Sequence, residues 1–137
     1  MRLHDNLSSG NGYKVRLLLA HLDLPFERIE YDIDRDETRT ARFLETLNPN
    51  GRIPVLETST GNFLPESNAI LFYLADGTRF LPEDRLERAR VLQWMFFEQY
   101  SPNTTNHRHE TPRRAGGNRG GIRGLKTEGK REIRRHS

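Results

Sequence analysis

The chain has 137 residues, 34% hydrophobic and 30% charged, with 7 Pro, 11 Gly and no Cys. That is room for one ordinary domain and not two full ones, and it excludes a disulfide framework, a CxxC redox pair, a Cys-based zinc site and a cysteine nucleophile, so any thiol chemistry must come from a ligand. The net charge of +3 divides unevenly: residues 1–102 carry 12 Lys+Arg against 16 Asp+Glu, a charge of −4, and residues 103–137 carry 10 against 3, a charge of +7.

Met1–Asp5 reads as a short first strand, and Asn6–Gly12 (NLSSGNG) supplies the residues of a tight turn. In YKVRLLLAHL, Val15, Leu18, Leu19 and Leu22 recur at i, i+3, i+4 and i+7, which predicts a helix with one apolar face that stops at Leu24-Pro25. From Phe26 the period changes to two. Ile29, Tyr31 and Ile33 alternate with Glu30 and Asp32 as in a half-buried strand. The acidic run Asp34–Glu37 suits the positive end of a second helix, with Phe43, Leu44 and Leu47 facing inward before Asn48-Pro49 ends it.

Ile53–Glu57 reads as a strand entered through Pro54, Ser59–Asn62 as a hairpin turn, and Phe63-Leu64 as the returning strand. Pro65-Glu66-Ser67 leads into a helix whose Ala69, Ile70, Phe72, Tyr73 and Leu74 leave little polar surface, so it is expected to be largely buried. Asp84-Arg85-Leu86-Glu87 is a capping box opening a last helix that runs to about Tyr100. Val91, Leu92, Trp94, Met95, Phe96, Phe97 and Tyr100 occupy more than one face of it. A helix covering a sheet needs a single stripe, so either something else packs there or a surface helix carries scattered aromatics.

Beyond Pro102 the only apolar side chains are Ala115, Ile122, Leu125 and Ile133, too few to offset the entropy of ordering, and residues 102–137 are expected to be a disordered basic tail. Its Arg/Gly-rich stretch, Arg113–Gly121, suits salt-dependent contact with phosphates, but it has no aromatic residue for base stacking, so no specific nucleic-acid partner is expected. His107-x-His109 lacks supporting carboxylates and reads as exposed polar residues rather than a metal site. No apolar run approaches the ~20 residues of a membrane span, and residues 1–12 lack the apolar core of a secretory signal, so a soluble cytoplasmic protein with no membrane partner is expected.

The order β-α-β followed by β-β-α, with a proline opening the third strand, is a thioredoxin-like arrangement within the α/β class. Ser9–Arg16 (SGNGYKVR), Asn48–Leu56 (NPNGRIPVL) and Glu66–Ile70 (ESNAI) resemble the glutathione-binding segments of the cytosolic glutathione S-transferases, in particular bacterial members with Ser and Asn at the thiol site. The resemblance covers residues 1 to about 101 and divides the chain into a thioredoxin-like domain over 1–82, the first helix of an otherwise absent all-helical domain over 83–101, and the tail.

It implies glutathione as co-substrate, no metal, and catalysis by stabilising the glutathione thiolate for attack on an electrophilic small molecule. Ser9 falls where the family places its sulfur-activating hydroxyl, and Asn11 can add an amide donor; taken alone, Ser9 reads first as a turn or N-cap serine, and it is the other two segments that reverse this. Ile53-Pro54 matches the family's cis-proline, whose preceding residue offers its backbone to the cysteinyl part of glutathione. Arg52 either pairs with the glycyl carboxylate or sits in solvent. Ser67, at a helix N-terminus, matches the residue that takes the γ-glutamyl carboxylate, with Glu66 on the ammonium, against the plainer reading of an N-cap beside a favourable acid.

The family's second domain walls the electrophile pocket and supplies much of its homodimer contact. Without it, weak or no turnover is expected, the dimer loses its main support, and the abrupt change after Ser101 suggests a reading-frame change or truncated gene model. Two other functions stay open: a glutathione-dependent reductase acting on a disulfide small molecule, and a non-catalytic binding module with a basic tail.

Overall fold

The computed structural model describes residues 1–100; the expected tail disorder, the Arg/Gly stretch and His107-x-His109 lie outside the described residues. Chain order is β1 (Arg2–Asp5), α1 (Gly10–His21), β2 (Glu27–Glu30), α2 (Ala41–Thr46), β3 (Val55–Glu57), β4 (Phe63–Pro65), α3 (Ser67–Ala75) and α4 (Arg85–Tyr100). The four strands form one mixed sheet in the order β2-β1-β3-β4. β1 runs parallel to β2 and antiparallel to β3, and β3 pairs antiparallel with β4. This is the thioredoxin-like arrangement expected from the sequence.

β1 has a strand on each edge, and Leu3 and His4, on its opposite faces, are both buried. Leu3 joins Val15 and Leu19 of α1, Leu56 of β3, and Ile70 and Leu74 of α3 in one apolar cluster. On the other face Phe43 and Leu47 close over Val55, with Tyr31, Ile53 and Phe63 packed at the edge. The apolar periodicity of α1 holds: Val15 and Leu19 are fully buried and Leu18 and Leu22 pack against them.

Several expected boundaries move. β2 ends at Glu30 rather than Ile33, because beyond the Tyr31 N–H bond to the Asp5 carbonyl the chain leaves the sheet, and Ile33 is exposed. The acidic run does not open a helix: the Asp32 carboxylate accepts from the Asp34 and Arg35 amides, Asp36 takes a left-handed φ of 57°, and a 3₁₀ turn follows over Glu37–Arg39. α2 begins later, at Ala41, where Thr40 Oγ1 accepts from Phe43 N at 3.3 Å. α3 is less buried than its composition suggests, with Tyr73 exposed beside buried Ile70 and Leu74.

At α4 the capping box forms by half. Asp84 Oδ1 accepts from the Leu86 and Glu87 amides, but the Glu87 carboxylate pairs with Arg90 instead of returning to Asp84. α4 is held by polar contacts: Lys14 Nζ to Glu98 Oε2 at 2.8 Å, Asn68 Nδ2 to the Met95 carbonyl at 2.8 Å, and Arg88 to Asp76 at 3.2 Å. Burial works against ionisation of Glu98, but the Lys14 hydrogen bond and charge, together with hydrogen bonds from Gln99 and Asn68, hold its carboxyl below the ordinary range. Among the described residues none of the α4 side chains is buried, and Trp94 remains 68% exposed.

On the α2 side of the sheet, His4 bridges Tyr31 Oη at 3.1 Å and Glu57 Oε2 at 3.2 Å, while Arg2 joins Glu57 to Glu27. The His4 hydrogen bond, reinforced by the Arg2 charge, holds the Glu57 carboxyl below its ordinary value of 4.5. A depressed folded-state value stabilises the fold above the unfolded pKa, and that contribution is lost as pH falls through the folded one. Glu57→Gln is therefore expected to lower stability at pH 6 and to match the native chain more closely as pH drops below about 4.5, as read from urea unfolding across pH.

Candidate functional site

Three segments predicted from the sequence to carry chemistry lie at the ends of α1, β3 and α3. In the first, the turn after β1 is fixed by Asn6. Its Oδ1 accepts from Ser8 N at 3.0 Å, its Nδ2 donates to the Tyr31 carbonyl at 2.8 Å, and its own carbonyl accepts from Ser9 N at 3.0 Å. Leu7 N donates to Glu30 Oε1 at 3.0 Å. Ser9 then caps α1, with Oγ accepting from Gly12 N at 3.1 Å. A hydroxyl used as a cap spends an acceptor lone pair and keeps its hydrogen for donation.

The second segment turns on Asn48, which is buried. Its Nδ2 donates to the Arg52 carbonyl at 2.9 Å and its Oδ1 accepts from Asn50 N at 3.0 Å, while Gly51 follows at φ 62°. Gly51 is needed there, because a Cβ would strain that backbone and press on the Arg39 side chain. The Ile53–Pro54 peptide bond is cis, as the resemblance implied. Pro54 is buried, Ile53 half-buried and Arg52 exposed.

In the third, Glu66 precedes α3 at φ 72° and ψ 113°, a region that non-glycine residues seldom occupy, and it makes no side-chain cap. The first-turn amides of α3 have no intrahelical acceptors, so this end is suited to an anion. Ser67 is buried, and its Oγ donates to Asn11 Oδ1 at 3.4 Å. That bond brings the N-terminal ends of α1 and α3 together.

Beside Glu66 an open depression of about 420 Å³ is lined by Arg39, Asn50, Arg52 and Glu66. Arg39 was not singled out from the sequence. It closes the acidic run with no neighbour to mark it, and only folding brings its Nη1 within 3.3 Å of the Asn50 carbonyl. Among the described residues no group of three or more His, Cys, Asp or Glu side chains could hold a metal, and no helix is long and apolar enough to cross a membrane.

The family profile described as glutathione S-transferase, N-terminal domain, matches residues 1–76. A possible glutathione S-transferase from Rhodopseudomonas palustris superposes at a TM-score of 0.70 with 53% identity, over 75% of this chain and 50% of that one. The structure of Ure2p in complex with glutathione gives a TM-score of 0.66 and 28% identity over 72% of this chain and 44% of that one. The disulfide-bond oxidoreductase YfcG of Escherichia coli is 36% identical over 95 residues, 64% of this chain and 44% of that protein. The chain spans less than half the length of the curated relatives it matches.

Gly12 shows how tightly the first segment is built, since a Cβ there would fall on the Asp5 carboxylate. Gly12→Ala is expected to destabilise the fold by about 1–3 kcal/mol, the range for forcing atoms into a filled interior, read as a lower urea midpoint at unchanged m-value.

Proposed function

The chain belongs to the glutathione S-transferase family by its N-terminal domain, and on that premise we propose that it binds glutathione across the three segments and holds the glutathione sulfur as thiolate. The observation that carries the reading is the Ser67–Asn11 hydrogen bond, which joins the two helix N-termini on which such a site depends. In this reading the first-turn amides of α3 take the γ-glutamyl carboxylate, joined by the Ser67 hydroxyl as its single hydrogen turns from Asn11 Oδ1 to the ligand, and Glu66 takes the ammonium. The backbone of Ile53, set by Pro54, holds the cysteinyl part. Arg52, joined by Arg39 across the depression they line, takes the glycyl carboxylate.

Ser9 donates its hydroxyl hydrogen to sulfur, and Asn11 adds an amide donor. A hydrogen bond to the charged form lowers the thiol pKa, so more thiolate stands ready at neutral pH. The thiolate lone pair then forms a C–S bond with an electrophile as its leaving group departs with the displaced electron pair. Residues 1–100 carry the proposed donors for glutathione, whereas the family resemblance assigns the wall of the second reactant's pocket to a helical domain beyond them. Turnover by these residues is therefore proposed to be slow for want of positioning.

A second reading, reduction of disulfides, is favoured by Ser9 and Asn11 standing together and by the similarity to YfcG. There the glutathione thiolate attacks one sulfur of a mixed disulfide and expels the other as thiolate. Turnover with a glutathione mixed disulfide but not an aryl halide selects this reading, and the reverse selects conjugation.

Binding is tested by amide NMR spectra with and without reduced glutathione, with shifts expected at Ser9, Asn11, Ile53, Glu66 and Ser67; a folded spectrum indifferent to glutathione refutes the proposal. The role of Ser9 is separated from simple capping by two substitutions. Ser9→Ala is expected to cost about 0.5–2 kcal/mol of stability and Ser9→Gly only a few tenths, because glycine is tolerated at an N-cap. Both are expected to raise the bound thiol pKa by about 1–2 units, the scale of a hydrogen bond to a charged group, read from ultraviolet absorbance of the thiolate across pH.

A further inference from the structure

The β1–α1 turn rests on a buried ion pair that none of the proposed ligand contacts uses. Asp5 is fully buried, and its Oδ2 is paired with Arg16 Nη1. Its Oδ1 has no hydrogen-bond partner among the described residues and fills the space that a side chain at Gly12 would need. A carboxylate so enclosed is costly unless a cation answers it, and Arg16 is the cation that does.

Arg16 does more than neutralise. Its Nη1 also reaches the Asn6 carbonyl at 3.4 Å, and its Nη2 donates to the Leu7 carbonyl at 3.0 Å. The Asn6 carbonyl is the one that accepts from Ser9 N, and Gly12, packed on Asp5, provides the amide that Ser9 Oγ accepts. The two residues therefore set both ends of Ser9: Arg16 fixes the turn carrying its backbone, and Asp5 fixes the depth of the helix turn its hydroxyl caps. The planar fork of a guanidinium can address a carboxylate and two carbonyls together, which an ammonium cannot do in fixed geometry.

We propose that Arg16 and Asp5 are positioning residues that aim the Ser9 hydroxyl, and that their effect is on thiol activation rather than on glutathione affinity. The second half rests on the function proposed above; the first does not.

The test uses the full chain with Arg16→Lys, which keeps the charge opposite Asp5 but loses the fork, and with Asp5→Asn/Arg16→Gln, which removes both charges and so leaves no lone buried ion. Dispersed amide spectra establish that each is folded. Hydrogen exchange at the Gly12 amide reports the Ser9 cap without any ligand, S-methylglutathione reports affinity without a thiol, and thiolate absorbance reports activation of bound glutathione.

In both variants Gly12 exchange is expected to accelerate toward that of Ser9→Ala. The thiolate fraction at neutral pH is expected to fall on the order of tenfold, the scale of one hydrogen bond to a charged acceptor, with S-methylglutathione affinity held within about threefold. Unchanged Gly12 exchange overturns the positioning role. Unchanged thiolate, or loss of affinity in step with it, overturns the selective effect on activation. If the native chain binds no S-methylglutathione, the glutathione reading and the effect on activation fall together, and Gly12 exchange alone decides the positioning role.

Discussion

Burial of β1 on both faces is the constraint from which the rest of the structure follows. Arg2–Asp5 lie between two neighbouring strands, and Leu3, His4 and Asp5 are buried, so each of these three side chains has a prescribed environment. Leu3 enters the α1 and α3 cluster, while His4 enters the opposite layer only because Tyr31 and Glu57 occupy both its ring nitrogens. Asp5 ends the strand inside the protein and recruits Arg16 from the next helix. The strand thus specifies more than a hydrogen-bonding edge. It dictates where the first turn lies and, through that turn, where Ser9 stands.

The candidate site is assembled from helix ends and loops whose backbone groups are committed by short polar side chains. Asn6, Asn48 and Ser9 each satisfy local backbone groups and so fix the segments that carry the proposed donors. Glu66 is the exception. It accepts an unfavourable backbone conformation while its side chain stays exposed, and departures of this kind are concentrated where geometry serves binding. Ser67 and Asn11 convert two separate helix ends into one surface.

Much of this was legible in the amino-acid order. The spacing of Val15, Leu18, Leu19 and Leu22 identified α1 and its buried face, and the proline-led third strand and hairpin turn gave the order of the later elements. Features set by non-local contacts were not legible. The acidic run after Tyr31 looked like the start of a helix, because a favourable charge and a loop of Asx turns have the same composition. Glu87 matched a capping box, yet Arg90, one turn on, offered its carboxylate a charged partner. Arg39 and the Asp5–Arg16 pair acquire meaning only when residues apart in the chain meet. The cis bond at Ile53–Pro54 was expected from the family resemblance, since an Ile-Pro pair in isolation is ordinarily trans.

The placement of Trp94 decides what light can report about this molecule. It is the single tryptophan of the chain, it sits on α4 outside both apolar clusters, and its nearest ring partner is Phe97 on the same helix at 5.7 Å. Its emission is therefore expected to be that of a largely exposed indole beside the Phe97 ring, and to respond to whether α4 keeps its helical turn and its polar tethers to Lys14 and Asn68 rather than to whether the sheet is intact. Fluorescence and far-ultraviolet dichroism consequently observe different events here. Agreement between them carries information about cooperativity across the α4 junction that neither signal contains alone.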